Sequence, residues 1–217
     1  MSDNQSDAIV TGAPSVPGLS GTPAVAMPQK ADLIAKISAS TGMKPEVIEM
    51  IKNTFASQLT WTELEAGLFI CNKRKLDPMQ KQISFIKFGG KMTIHVTIDG
   101  LRTLAARSGN YCGSTITYIY DVDGKNVESE FPPTSTAKLV GSRAKVYKRI
   151  GDHIGEFAAL AMASEYLADA TGGNNKKMPH VMLAKDAEAL ALRKGWPEDL
   201  SGLYEEAEFD NVITAKA

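Results

Sequence analysis

The sequence predicts an α+β fold in which helices and antiparallel strands occupy separate stretches of chain. Three observations carry this reading. Apolar residues recur at helical spacing between residues 31 and 75. Two strand-like runs, Gln82 to Phe88 and Lys91 to Ile98, meet at Gly89-Gly90, a pair suited to a tight two-residue turn. Further strand-like runs at 114–121, 137–149 and 156–164 give way to one long helical segment that opens at Pro179 and is stopped by Gly195 and Pro197.

Taken in order, residues 1–29 hold Pro14, Pro17, Pro23 and Pro28 with Gly12, Gly18 and Gly21 among small polar residues. They carry too little apolar surface to offset chain entropy and are expected to be disordered. Helices are predicted over Ala31 to Ser40, Lys44 to Ser57 and Thr62 to Lys75. Pro45 suits the first turn of the second, Thr60-Trp-Thr-Glu63 is a capping box for the third, and Leu76-Asp-Pro78 ends this helical part. In the hairpin, a pairing of Phe88 with Lys91 sets Ile83 and Phe85 opposite Val96 and Ile94 on one apolar face. Ser84 and Ile86 then fall opposite His95 and Thr93 on the other. Asp99 is expected to cap a helix running to Ser108, with Leu101, Leu104 and Ala105 inward and Arg102 and Arg107 outward.

Strand alternation over 142–149 sends Arg143, Lys145, Tyr147 and Arg149 to one face and Ala144 and Val146 to the core. Cations two residues apart on a strand repeat every ~6.6 to 6.8 Å, comparable with the phosphate step of a stretched single strand. Tyr147 adds a ring for a base or sugar, the combination by which proteins hold single strands without reading sequence. The competing reading is an edge strand protected from aggregation by its charge. Asp121-Val-Asp-Gly124 reads as a hairpin turn, since the later acidic ligand of a calcium loop is missing. Gly172-Gly-Asn-Asn-Lys-Lys-Met178 reads as a flexible basic loop that places Lys176 and Lys177 at the entrance to the last helix. On that helix Leu183, Ala187 and Leu190 form a core stripe, while Met182, Lys185, Ala189 and Arg193 form a neighbouring one. Lys185 and Arg193 are then roughly 12 Å apart, a cationic edge that a core does not need and a polyanion does.

The 217 residues, 43% hydrophobic and 23% charged, describe an ordinary globular composition with neither a signal core nor a membrane span. A cytoplasmic location in a bacterial host cell and no membrane partner are the expectation. Cys71 and Cys112 lack metal-type spacing and His95, His153 and His180 are scattered, so neither a metal site nor a disulfide framework is expected. A net charge of −1 conceals an asymmetry: residues 73–149 carry 14 Lys and Arg against 6 Asp and Glu, whereas 195–217 carry one Lys against six acids. That points to a polyanion such as nucleic acid. No phosphate-binding Gly-rich loop of the ATPase type occurs, which excludes an ATP-driven motor, and no catalytic residue or cofactor is expected. Glu156, Glu165 and Asp169 with Asp121 and Asp123 leave a metal-dependent nuclease as the alternative, provided that they converge in space.

Three blocks, read together, resemble the RecT/Redβ family of phage single-strand annealing proteins. They are Lys75-Leu-Asp-Pro-Met-Gln-Lys-Gln-Ile83, the run from Ile98-Asp-Gly-Leu-Arg102 through Arg107 to Gly113, and the run from Met178-Pro-His-Val-Met-Leu-Ala-Lys185 to Arg193, followed by Trp196-Pro and Ser201-Gly-Leu-Tyr204. The resemblance implies that a small antiparallel sheet and helices form a deep basic groove, so that all the cations named share one trench. It implies ATP-independent binding of single-stranded DNA and annealing of complementary strands in phage-type homologous recombination. The implied partners are single-stranded DNA, an annealed duplex intermediate, further copies of the chain in a ring or helical filament, and a 5′–3′ exonuclease. Carried over motif by motif, Lys81, Arg102, Arg107, Lys185 and Arg193 are the implied backbone contacts. The domains expected are a disordered segment over 1–29, an annealing domain over 30–205 and a short acidic tail over 206–217.

Overall fold

The computed structural model describes residues 29–88, 90–167 and 173–200. The expectations for residues 1–28 and for the acidic tail lie outside the described residues. Three helices open the fold: α1 (Lys30–Thr41), α2 (Pro45–Thr54) and α3 (Trp61–Arg74). Their apolar stripes meet in one cluster, burying Ile34 and Ile37 of α1, Ile48 and Ile51 of α2, and Leu64, Leu68 and Cys71 of α3. Burial pushes the Cys71 thiol up to about 12, so it behaves as a small apolar side chain. The capping box of α3 is formed as the spacing predicts. Glu63 N–H donates to Thr60 Oγ1 at 3.2 Å and Thr60 N–H donates to Glu63 Oε2 at 2.7 Å. The Thr60 N–H, together with the Lys87 ammonium, holds the Glu63 carboxyl below its ordinary value.

The hairpin β1 (Ile83–Phe88) and β2 (Lys91–Val96) follows, in the predicted register: Ile83 faces Val96, Ser84 faces His95, Phe85 faces Ile94 and Phe88 faces Lys91. Ile83, Phe85 and Val96 are buried in the core shared with the first three helices. The next helix, α4 (Ile98–Arg107), is capped by Thr97 and not by Asp99. Thr97 Oγ1 accepts from Gly100 N–H at 3.3 Å and donates to the Lys81 carbonyl at 2.7 Å, tying the helix start to the segment before β1. Asp99 falls in the first turn, where its charge still suits the positive end of the helix. Gly100 packs so closely that a Cβ there would stand 2.0 Å from the Gln82 carbonyl oxygen.

The main sheet is antiparallel with order β4-β3-β5-β6, built from β3 (Tyr111–Val122), β4 (Lys125–Ser129), β5 (Lys138–Ile150) and β6 (His153–Met162). The predicted turn at Asp121–Gly124 joins β3 to β4. Asp123 and Gly124 both take positive φ, 52° and 81°, and Gly124 N–H donates to Asp121 Oδ1 at 2.8 Å. Among the described residues four helices follow: α5 (Ala163–Tyr166), α6 (Gly173–Lys177), α7 (Pro179–Gly195) and α8 (Pro197–Leu200). The segment expected to be a basic loop is therefore helical over most of its length. Met178 N–H continues it by donating to the Asn174 carbonyl at 2.7 Å.

Helix α7 lies across β5 and β6 and also contacts α4 and β3. Leu183, Ala187, Ala191 and Leu192 are buried in the same core as Ala144 and Val146 of β5 and Ala159 and Ala161 of β6. Small residues on both sides let helix and sheet approach closely, and Leu190 is only half-buried. Trp196 anchors the end of α7. Its indole N–H donates to Ser108 Oγ at 2.7 Å and Asn110 Oδ1 at 2.9 Å, and the Lys148 ammonium lies 5.3 Å from its ring centroid.

Candidate nucleic-acid interface

The structure sorts the cations named in the sequence into sets with different surroundings. Along β5, Ser142, Ala144 and Val146 are buried, and Lys148 donates to the Gly195 carbonyl of α7 at 2.7 Å. These residues mark the face of the sheet that α7 covers. By alternation, Arg143, Lys145, Tyr147 and Arg149 stand on the opposite face. There Arg143 Nε donates to Glu128 Oε1 at 2.9 Å and Lys145 Nζ lies 3.0 Å from Glu156 Oε1. The contact with Glu156 raises the Lys145 ammonium above its ordinary value. Tyr147 Oη lies 3.3 Å from Thr115 Oγ1. The acids on β4 and β6 partly neutralise this face, although exposed pairs of this kind are weak and yield readily to a phosphate.

Lys185 and Arg193 belong to α7, whose sheet-facing stripe of Leu183, Ala187 and Ala191 lies about half a turn away from Lys185. One trench holding both the strand cations and the helix cations is therefore not formed, because the sheet itself stands between them. Helix packing dictates this: apart from Lys148, which reaches the end of α7, the residues of β5 that face α7 are small or apolar, and the alternate cations lie on the far side.

The surroundings of Lys185 and Arg193 are polar and largely closed. The Lys185 side chain is 20% exposed, and its Nζ lies 3.2 Å from Oδ1 of Asp186. The charges of Lys185 and Arg193 reach the ring of His95 on β2. His95 is buried, with Nδ1 at 3.0 Å from Ser84 Oγ. Burial first, then Lys185 and Arg193, push its imidazole down to about 4, so the ring is neutral at pH 7. Two half-buried cations of α7 thus act on one neutral ring of the hairpin.

Arg102 and Arg107 are exposed on α4, as expected, and both are also bonded by the protein. Arg102 Nε and Nη2 grip Glu188 of α7 at 3.1 and 2.5 Å, and its Nη1 lies 3.3 Å from Asp99 Oδ1. Glu188 is 1% exposed and also accepts from Ser114 Oγ at 3.1 Å, so the pair joins α4, α7 and β3 around a buried carboxylate. This contact raises the Arg102 guanidinium further. Arg107 Nη1 donates to the carbonyl of Lys75, bracing the end of α4 on the end of α3. Lys81 is exposed, with a left-handed backbone (φ 57°) and its carbonyl held by Thr97. Lys176 and Lys177 are exposed on α6, directly before α7.

Sequence reasoning missed His95 and Glu188. The facing of Ser84 and His95 was legible from the hairpin turn, but the approach of α7 to that ring was not. Glu188 sits in an apolar helical run where a buried acid signals a partner, yet that partner lies 86 residues away. For the nuclease alternative, Asp121 is used by its turn and Glu156 by Lys145, and Asp169 lies outside the described residues. Among the described residues no three His, Cys, Asp or Glu side chains gather as a metal site, and no helix is long and apolar enough to cross a membrane.

A family model for the RecT family matches residues 41–217, most of the chain and all of the elements from α2 onward. No curated protein matches it.

Proposed function

The chain belongs to the RecT family, and from that premise we propose that it binds single-stranded DNA and anneals complementary strands without ATP, acting as an oligomer in phage-type recombination. The observation that carries this reading furthest is the pair Lys185 and Arg193, both half-buried on one helix and both acting on the same buried ring of the hairpin. Annealing needs binding that is strong in sum and weak per contact. Cations on phosphates supply affinity without touching base edges, so a second strand remains free to test the bases by pairing. In this reading Lys185 and Arg193 make the principal backbone contacts, Lys81, Lys176 and Lys177 extend them, and Arg143, Lys145, Tyr147 and Arg149 form a separate, weaker surface on the far side of the sheet. Arg102 and Arg107 position α4 against α7 and α3 and act on DNA only through that placement.

Filament or ring formation requires an apolar surface, and residues 31–61, with Met50 and Phe55 exposed on and after α2, are our choice for part of it. A 5′–3′ exonuclease partner and action in the host cytoplasm belong to the same proposal. The test is to mix two complementary labelled oligonucleotides with the protein in the absence of nucleotide. Duplex formation well above the spontaneous rate, unaffected by a chelator, supports the proposal. Chelator-sensitive loss of the labelled strands in place of duplex contradicts it and favours a nuclease.

A further inference from the structure

At the start of α7 three rings meet. Tyr118 and Tyr120 lie two residues apart on β3 and so project to the same face of the sheet, the one that α7 covers. Tyr120 is 1% exposed, and its hydroxyl lies 3.1 Å from Nε2 of His180 in the first turn of α7. His180 in turn stands against Tyr118, with ring centroids 5.0 Å apart and planes at 79°. The buried Tyr120 thus fixes His180, and His180 fixes the orientation of Tyr118. Both outer rings, Tyr118 and His180, remain half-exposed.

The surface around them is unusual for a helix start. Lys176 and Lys177 are exposed on α6, which is separated from α7 by Met178 alone, and Met178 and Val181 are exposed at 43% and 56%. A held aromatic pair, flanked by cations and by exposed apolar side chains, matches what an unstacked nucleobase and its phosphates require: a π-face with positive charge one nucleotide away. Tyr118 keeps part of its surface open to solvent, where a third ring can reach it.

We propose that Tyr118, oriented by His180 and Tyr120, is a stacking platform for one nucleobase of the bound single strand, with Lys176 and Lys177 on the adjoining phosphates. This deepens the proposed function and rests on it. It adds a contact with the bases to the proposed backbone contacts of Lys185 and Arg193, and the contact tolerates any sequence because every base has a π-face.

The test compares the affinity of the full chain for an oligothymidylate and for an abasic oligomer of the same length, at one salt concentration. The wild-type protein is expected to prefer the oligothymidylate by about tenfold, the scale of one base–aromatic stack. Tyr118→Ala is expected to abolish that preference with the abasic affinity unchanged, and Tyr118→Phe to keep it, since the ring and not the hydroxyl does the stacking. A purely structural tyrosine would lower both affinities together. A preference that persists in Tyr118→Ala overturns the inference. On the wild-type protein, where folding is not in question, Tyr118 ring protons should move upfield with the oligothymidylate and stay in place with the abasic oligomer; no movement with either, while both bind, overturns it as well. Failure of the wild-type protein to bind either oligomer would instead remove the annealing reading, and this inference with it.

Discussion

Glu188 and His95 are the two residues whose chemistry most constrains the molecule. A carboxylate that is 1% exposed survives only because Arg102 holds both of its oxygens and Ser114 adds a third donor. Arg102→Ala strands that charge and is expected to cost roughly 2–3 kcal/mol in a denaturant titration, part of the pair being open to solvent. Arg102→Lys should recover little of this, because an ammonium cannot grip two oxygens as a planar fork does. His95 makes a pH prediction. Its folded imidazole titrates at about 4 against an ordinary value of 6.5, so between these values the unfolded chain takes up a proton that the folded one refuses. Stability should therefore fall as pH drops from about 6.5 to about 4 and gain no further loss from this residue below that. Denaturant midpoints at pH 7 and pH 4.5 in the wild type and in His95→Phe check this: the variant should show the smaller difference. At this scale the sequence announced the facing of Ser84 and His95, because one turn fixes the register. It said nothing of Arg102 on Glu188, because that contact depends on how α4 and α7 pack.

The elements were legible in proportion to how local their causes are. The capping box of α3, the hairpin register, Pro179 at the start of α7 and the alternation of β5 all follow from residues within a few positions of one another. The strand β4 escaped notice because Lys125–Ser129 is short, polar and mostly exposed; it exists through pairing with β3. The cap of α4 went to Thr97 because that hydroxyl also reaches the Lys81 carbonyl, a contact set by where β1 begins. The same junction explains Gly100. Gly100→Ala would drive a methyl group into the Gln82 carbonyl, so α4 or the start of β1 must shift, and a loss of about 2–4 kcal/mol is expected, an overpacking cost at the high end because backbone must move. A variant with wild-type thermal stability would show that the two elements are less tightly joined than the structure indicates.

For the whole molecule the decisive fact is that α7 and the strand cations lie on different sides of the main sheet. The excess of positive charge was plain in the sequence, and so was the presence of cations on both β5 and α7. Their separation was not, because only the stacking of α7 on β5 and β6 determines which face of each strand remains open. The two surfaces differ in kind. On the strand face Glu128 and Glu156 pair with Arg143 and Lys145 in the open, whereas Lys185, which pairs with Asp186, and Arg193 are half-buried and act on a hairpin ring that is neutral at pH 7. Single-strand binding should therefore depend on the helix pair far more than on the strand pair. Replacing Lys185 and Arg193 by Glu is expected to lower affinity for a single strand by about 100-fold or more, two charge-assisted contacts being lost. Because Lys185 pairs with the buried Asp186, the variant's thermal transition is to be measured beside its affinity, and a folded variant that binds as the wild type does contradicts the role of the pair.

The most direct measurement is the affinity for a labelled oligothymidylate as a function of salt, for the wild type, for Lys185→Ala with Arg193→Ala, and for Arg143→Ala with Lys145→Ala. If the helix pair grips two phosphates, the first double variant lowers the slope of log affinity against log salt by about 1.4, while the second leaves it nearly unchanged. A helix variant with the wild-type slope and affinity, or a strand variant that alone abolishes binding, would contradict the account.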